Sequence, residues 1–515
     1  MKFLSVCLYV GVLFVLVDLN YASAAKKEYY NDVSDELEQN SVDVSDEVVK
    51  DEERNRYGKI KTTYKKKRID YYDESDESDE SDESDQNDFI YACDKNEKDP
   101  ICKCENEALN CEMQNLETTN IFISDGSFIP KYVNFKNNFI EMLEYKSILP
   151  GMDYEIDLLD FSHNFIHKIM NKSFDPFINL KVLRLSSNKL KTISSGFLTL
   201  KVGTSLHQLF LDNNQIERIP AFAFKYLNNL KKLVLDGNNG LQLSKDVFPA
   251  ALSNLETLSL DGCQISRLDD NVFERLTNLK VLSLRNNPIY YIPRAINAIS
   301  NLVRLDLSGT EITELYIDQI SADHNLTEIR LSNMPYLYGI YDCAFCDLPN
   351  LKIVDLSNNS QLYFIHENAF GSIINKKYPI ATLKEFDIRY CNFSNLPEKL
   401  FDWTKIESLK INGNPFNCNT DLEWLTKNKN IHFETNPKCA NPLSLKGMYF
   451  SNMTKSVLQT YWHGFFTLKS AIVLFLIVIG FIALSASVFI LHKILYNNVP
   501  SRTSGPQYTV LPTKV

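Results

Sequence analysis

Cysteines, acid-flanked tyrosines and glycosylation sequons are the residues of this chain whose types and spacing support chemistry. Cys93, Cys102, Cys104 and Cys111 stand as C-x8-C-x-C-x6-C, a cluster that would hold either a tetrahedral zinc ion or two disulfides. Cys343 and Cys346 form a C-x-x-C in "YDCAFCDLPNL", the spacing of a local bridge. The βαβ surroundings of a redox enzyme are absent from that stretch. Tyr71 and Tyr72 adjoin "DESDESDESDESD" and fit sulfation, while Ser75, Ser78 and Ser81 fit S-x-E phosphorylation. Asn171, Asn325, Asn358, Asn392 and Asn452 head N-x-S/T sequons. No G-x-S-x-G, H-E-x-x-H or phosphate loop occurs, and the 8 His are scattered, so neither an enzyme nor a cofactor or metal site is expected.

The compartment decides among these chemistries. Lys2 precedes the apolar run "FLSVCLYVGVLFVLV", and Ala22-Ser23-Ala24 supplies small residues for cleavage, which reads as a secretory signal over 1–24. "AIVLFLIVIGFIALSASVFIL" (471–491) has no charge over 21 residues, about 31 Å of helix, and matches a bilayer core. Beyond it Lys493, Arg502 and Lys514 occur without an acid, so the positive-inside rule predicts a cytoplasmic tail, 492–515, of a single-pass type I plasma-membrane protein. In that oxidising setting disulfides are favoured over zinc.

Charge is confined to one arm. Residues 25–92 carry 22 acids and 11 bases, which accounts for the whole net charge of -11. The rest is neutral, so bulk charge gives no reason to expect nucleic-acid binding. The arm lacks apolar periodicity and is expected to be disordered and self-repelling, either a spacer or an attractor of basic proteins. "KKKR" (65–68) also fits a convertase site.

The elements that must position everything else are repeats. "LKVLRLSSNKL" (180–190), "LHQLFLDNNQI" (206–216), "LKVLSLRNNPI" (279–289) and "LVRLDLSGTEI" (302–312) fit L-x-x-L-x-L-x-x-N-x-L, the leucine-rich repeat. Twelve copies start near 130, 156, 180, 206, 230, 255, 279, 302, 326, 351, 383 and 406, with an inserted loop "GSIINKKYPIAT". Alternation around the leucines predicts one short strand per copy, stacked into a curved parallel sheet on a concave face, with irregular or short helical convex segments. A Phe about eighteen residues into most copies (Phe174, Phe197, Phe224, Phe248, Phe273, Phe345, Phe370, Phe401) fills the convex side. Asn164, Asn188, Asn214, Asn238, Asn287, Asn359 and Asn414 occupy a position that satisfies backbone groups at the turn, with Cys263, Cys391 and Thr310 in the same place elsewhere. Cys263 and Cys391 lie five copies apart, about 24 Å, too far to bridge, and are expected to be buried thiols.

On these motifs the sequence resembles the extracellular leucine-rich-repeat family, over about residues 93–447. The resemblance implies a cysteine-rich amino-terminal cap (93–129) with Cys93 paired to Cys104 and Cys102 to Cys111. After the repeats (130–414) it implies a carboxy-terminal cap (415–447), where Thr420 replaces one cysteine and no fourth follows Cys439, leaving Cys418 to Cys439. A stalk, 448–470, precedes the membrane segment.

Function then falls to the sheet's outward residues. Val182, Phe210 and Val234 are apolar with no core to join, and Arg304, Asp306, Glu328, Arg330, Asp355, Asp387 and Arg389 form a row of mixed charge. Phe210, Val234, Asp306, Arg330 and Asp355 are the candidate partner-binding residues; the bland alternative is that the charges pair with each other across strands. The partner is an extracellular protein, or the same protein on another cell, in adhesion or recognition; the alternative is a receptor or co-receptor that captures a soluble ligand and signals through another chain. In the tail, "YTVL" resembles an endocytic signal and "TKV" a PDZ ligand.

Overall fold

The structure, a computed structural model, describes residues 90–93, 100–123, 127–152, 155–194, 196–320, 325–371, 383–418, 420–427, 430–453 and 468–497, all within the unit Asp85–Val515. Tyr71, Tyr72, the serines beside them and the tail motifs lie outside the described residues.

Each copy's x-L-x core folds into a three-residue strand because its central side chain is apolar and its neighbours tolerate solvent. In Val182–Arg184, Leu183 is fully buried and Arg184 exposed. In register, Leu183, Leu209, Leu233, Leu258, Leu282, Leu305, Ile329, Val354, Phe386 and Leu409 lie side by side. All are 0% exposed. Each such burial contributes about 2–3 kcal/mol, and only neighbouring copies provide it. The result is one 14-stranded sheet, parallel except for its first pair, Lys103–Glu105 and Ala108–Asn110. Small flank sheets join Met142–Leu143 to Lys168–Ile169, and Glu314–Leu315, Gly339–Ile340 and Phe364–Ile365 to one another.

The recurring phenylalanines pack ring on ring across copies: Phe174 and Phe197 at 6.0 Å, Phe248 and Phe273 at 6.0 Å, Phe345 and Phe370 at 4.8 Å. The copies starting at 279 and 302 lack this Phe, and Ile296 (0% exposed) and Ile320 (4%) take its place.

The polar turn position forms a hydrogen-bond ladder. Asn164 Nδ2 donates to the carbonyls of Phe161 (3.0 Å) and, one copy back, Phe135 (2.9 Å), while its Oδ1 accepts the Ile140 N–H at 3.1 Å. Asn138 does the same work for the cap, accepting from Gln114 and Leu116 N–H. Cys263 and Cys391 stand in the Asn position after a local change in the preceding copy. In most copies the acceptor serves the N–H two residues past the previous copy's ladder position, as at Ile166 and Leu190. The copies before the two cysteines carry one extra residue there, and Leu241 and Leu362 N–H turn back to Asn238 and Asn359 carbonyls instead. At both places the thiol donates to a carbonyl of the preceding copy, Leu235 O (3.2 Å) and Leu356 O (3.0 Å). Both thiols are buried and free, and burial pushes them up to about 12, so they stay protonated and inert.

The caps close the two ends. Cys93 bonds Cys104 and Cys102 bonds Cys111, with Cα separations of 5.8 and 4.4 Å; Cys418 bonds Cys439 at 5.6 Å and Cys343 bonds Cys346 at 4.7 Å. Two boundaries differ from the sequence expectation. Ile90–Ala92, assigned to the arm, is a strand paired with Ile121–Ile123, because Ala92 is fully buried there. The carboxy-terminal cap also runs past 447, since Phe450 (1% exposed) packs on Phe416 at 5.4 Å and Met453 (7%) is buried beside it. A helix, Leu468–Asn497, follows, and its segment Ile472–Ile494 is long and apolar enough to cross a membrane.

Candidate protein-binding face

The first and third residues of every strand project from the sheet face opposite the leucines, so register alone sets who meets whom. Phe210 pairs with Arg184 on one side and Val234 on the other. The Arg184 guanidinium lies 5.4 Å and the Lys232 ammonium 5.2 Å from the Phe210 ring centre. Phe210 is thus a half-buried ring held between two cations, an arrangement that favours the charged groups staying over the aromatic faces. Val234 was expected to project with no core to join, but it is only 8% exposed, covered by its cross-strand neighbours. It supports Phe210 rather than offering surface.

Beyond the strand ends, three successive copies place Asp212, Asp236 and Asp261 at one position. Ser186 donates to Asp212 at 2.6 Å, Asp261 N–H to Asp236 at 2.8 Å, and Ser283 and Arg285 N–H to Asp261 at 2.5 and 2.9 Å. Burial raises the Asp236 and Asp261 carboxyls above the ordinary range, and the neighbouring carboxylate adds to each shift.

The mixed-charge row is internally paired. Glu328, whose side chain is 7% exposed, accepts from Arg304 and Arg330, both at 2.6 Å. Asp306 lies 3.9 Å from Arg285, Asp355 accepts from Ser357 Oγ at 2.6 Å, and Asp387 accepts from Arg389 at 2.7 Å. Lys410 closes the row on Glu385 (2.5 Å) and Glu434 (3.6 Å). Pairing between neighbouring copies, the bland alternative, therefore describes Asp306 with Arg285 and Glu328 with Arg304, while Arg330 pairs with Glu328 within its own strand and Asp355 is held by the Ser357 hydroxyl. The arginines keep 40–49% side-chain exposure, so these pairs add little stability, yet they hold the guanidiniums in fixed places. The structure thus brings Phe210 and Val234 together near the middle of the sheet and Asp306, Arg330 and Asp355 together on three later adjacent strands.

Arg184 and Lys232 were missed as face residues. Aligning the copies at their leucines would have found them, since Arg184 then falls beside Phe210 and Lys232 one outward position away, beside Gln208. Asn171, Asn325, Asn358, Asn392 and Asn452 are all exposed. Asn358 sits at positive φ (60°) just past the strand Ile353–Asp355, at the rim of the face. Among the described residues no group of three or more His, Cys, Asp or Glu is placed to hold a metal ion.

Comparison with known proteins meets this geometry at the repeats. The profile of the family described as "Leucine rich repeat" matches residues 204–250 and 253–312. Rat (Rattus norvegicus) lumican is 31% identical over 322 residues, covering 61% of this chain and 82% of lumican. The chain belongs to the leucine-rich-repeat family. This leucine-rich-repeat chain is also similar to Drosophila melanogaster chaoptin, 27% identical over 222 residues, and to human (Homo sapiens) Toll-like receptor 8, 32% identical over 213 residues. Those matches cover 43% and 37% of the leucine-rich-repeat chain but only 14% of chaoptin and 20% of the receptor.

Proposed function

We propose that this chain is a single-pass cell-surface protein that binds an extracellular protein through the uncovered face of its sheet, in adhesion or recognition. One observation carries the reading: an unbroken run of parallel strands leaves a face with no layer over it among the described residues, and that face presents an aromatic ring between two cations and a row of fixed charges. Such a surface rewards one complementary protein and penalises others. The signal segment and the apolar helix Ile472–Ile494 support surface placement, with 25–89 as an acidic arm outside the membrane and the sequons, Asn358 among them, carrying glycans. Tyr71 and Tyr72, sulfated, would strengthen the arm's attraction for basic proteins.

The test is a mixed-cell assay. Cells expressing the full chain, mixed with differently labelled cells that lack it, cluster with each other if the partner is a second copy, and with the non-expressing cells if it is a common surface protein. Absence of clusters in both directions rejects adhesion. The similarity to a Toll-like receptor favours a second reading, capture of a soluble protein and signalling through another chain. Binding of a soluble protein without any clustering would select it.

A further inference from the structure

The flank of the solenoid opens into a cavity of about 440 Å³ shared by three successive copies, lined among others by Arg267 and Asp270, Tyr291 and Arg294, and Tyr316 and Asp318. It lies beside Glu314–Leu315, the first strand of the three-stranded flank sheet, and against the 3-10 helix Arg294–Ala298. None of its lining residues is a strand position of the binding face.

Its arginines differ from most of the others, Arg218 being the exception that also lacks a carboxylate partner among the described residues. Arg184, Arg275, Arg285, Arg304, Arg330 and Arg389 each meet a carboxylate within 4 Å. Among the described residues Arg267 and Arg294 have no such partner, although Asp270 and Asp318 line the same cavity. Two free guanidiniums offer planar, bidentate hydrogen bonding to one carboxylate or sulfate. Tyr291 (53% exposed) and Tyr316 (47%) add flat apolar faces with polar tips, and Gln319 accepts the Tyr316 N–H at 3.2 Å, fixing that turn. The two aspartates supply acceptors that an anion alone does not use.

We propose that this cavity binds an acidic saccharide unit, with Arg267 and Arg294 holding its carboxylate or sulfate, Tyr291 and Tyr316 packing on the sugar's CH face, and Asp270 and Asp318 accepting its hydroxyls. One anion beside several hydroxyls on an apolar ring face is the chemistry that uses all six side chains. The volume lies within the range of small-molecule sites and accommodates one or two sugar rings. An acidic peptide would satisfy the arginines but would bring further carboxylates towards Asp270 and Asp318.

The experiment is ligand-observed saturation-transfer NMR on the full chain in detergent micelles. The probes are a sulfated chondroitin disaccharide and 3′-sialyllactose, with neutral lactose and a Glu-rich peptide alongside. Saturation of either acidic sugar and not of lactose is expected; which of the two binds separates a polysaccharide source from a glycoprotein one. Losing a charged hydrogen-bond donor weakens binding by about tenfold or more, so R267Q and R294Q should each reduce affinity by that factor. R218Q removes an arginine that does not line the cavity and should change nothing. A melting midpoint unchanged by R267Q and R294Q shows the loss is not unfolding. No saturation of either acidic sugar, equal binding by R267Q/R294Q, or binding of the peptide alone overturns the proposal.

Discussion

Replacing Asn287 by Ala removes one rung of the ladder in the middle of the solenoid. Asn287 is 1% exposed; its Nδ2 donates to the carbonyls of Leu260 (2.8 Å), Leu284 (2.9 Å) and Arg285 (3.1 Å), and its Oδ1 accepts Cys263 N–H (3.0 Å) and Ile265 N–H (2.9 Å). Alanine leaves both N–H groups and the buried carbonyls without their partner, and each orphaned buried group costs about 1–3 kcal/mol. Water entering the space left by the amide recovers part of that, so the expected loss is about 3–5 kcal/mol. The side chain of Thr310, at the same position one copy on, makes one hydrogen bond, to Leu307 O at 2.8 Å, so Thr310→Ala should cost only about 1 kcal/mol. The assay is urea unfolding of the full chain in micelles, followed by tryptophan fluorescence, with amide exchange at Cys263 and Ile265 reporting the freed N–H groups. The ladder argument fails if Asn287→Ala destabilises no more than Thr310→Ala, or if those two amides keep their protection.

Three further outcomes follow from the same geometry. Asp236 and Asp261 have folded carboxyls raised above their unfolded value, so their contribution is present below the carboxylate range and lost as pH rises through it. D236N and D261N should therefore melt higher than wild type at about pH 7, with the difference closing as acid protonates the wild type; a difference that widens in acid would reverse the sign and refute the assignment. Cys418→Ser opens a bridge of sequence separation 21 and should cost about 3 kcal/mol, read as a lower urea midpoint under non-reducing conditions; an unchanged midpoint would mean the cap does not depend on it. Glu328→Ala frees two half-exposed arginines that water can reach, so stability should fall by about 1 kcal/mol or less, whereas a loss several times larger would show the pairs to be structural.

The fold was legible because its instructions are local and repeated. A leucine at every second strand position, a polar turn residue and a Phe eighteen residues on are one-dimensional signals, and Leu183, Asn188 and Phe197 occupy the places their spacing assigns. Asn138 escaped notice because its copy begins "PKYVNF", with few leucines around it. The exchange of Asn for Cys at 263 and 391 follows copies with one extra residue at the turn, an association legible only when two copies are read together. The face was harder. Sequence placed Phe210 and Val234 outward correctly but could not say that cross-strand neighbours bury one and leave the other half-open. The pairing of Arg330 with Glu328, two residues away, rests on side-chain rotamers that no spacing records. The cavity at Arg267 and Arg294 depends on how three return segments differ, and differences among repeats are what a repeat pattern averages away.

The central claim is that the uncovered sheet face binds a protein, and a glycan placed on it tests that directly. Phe210→Asn with Asp212→Thr creates an N-x-T sequon at the half-buried ring between Arg184 and Lys232. Cells displaying this variant and wild-type cells, matched for surface level, are compared in the mixed-cell assay with glycan attachment confirmed by a mass shift. The account predicts that wild-type cells cluster and that the glycan abolishes clustering; undiminished clustering with the glycan in place would contradict it.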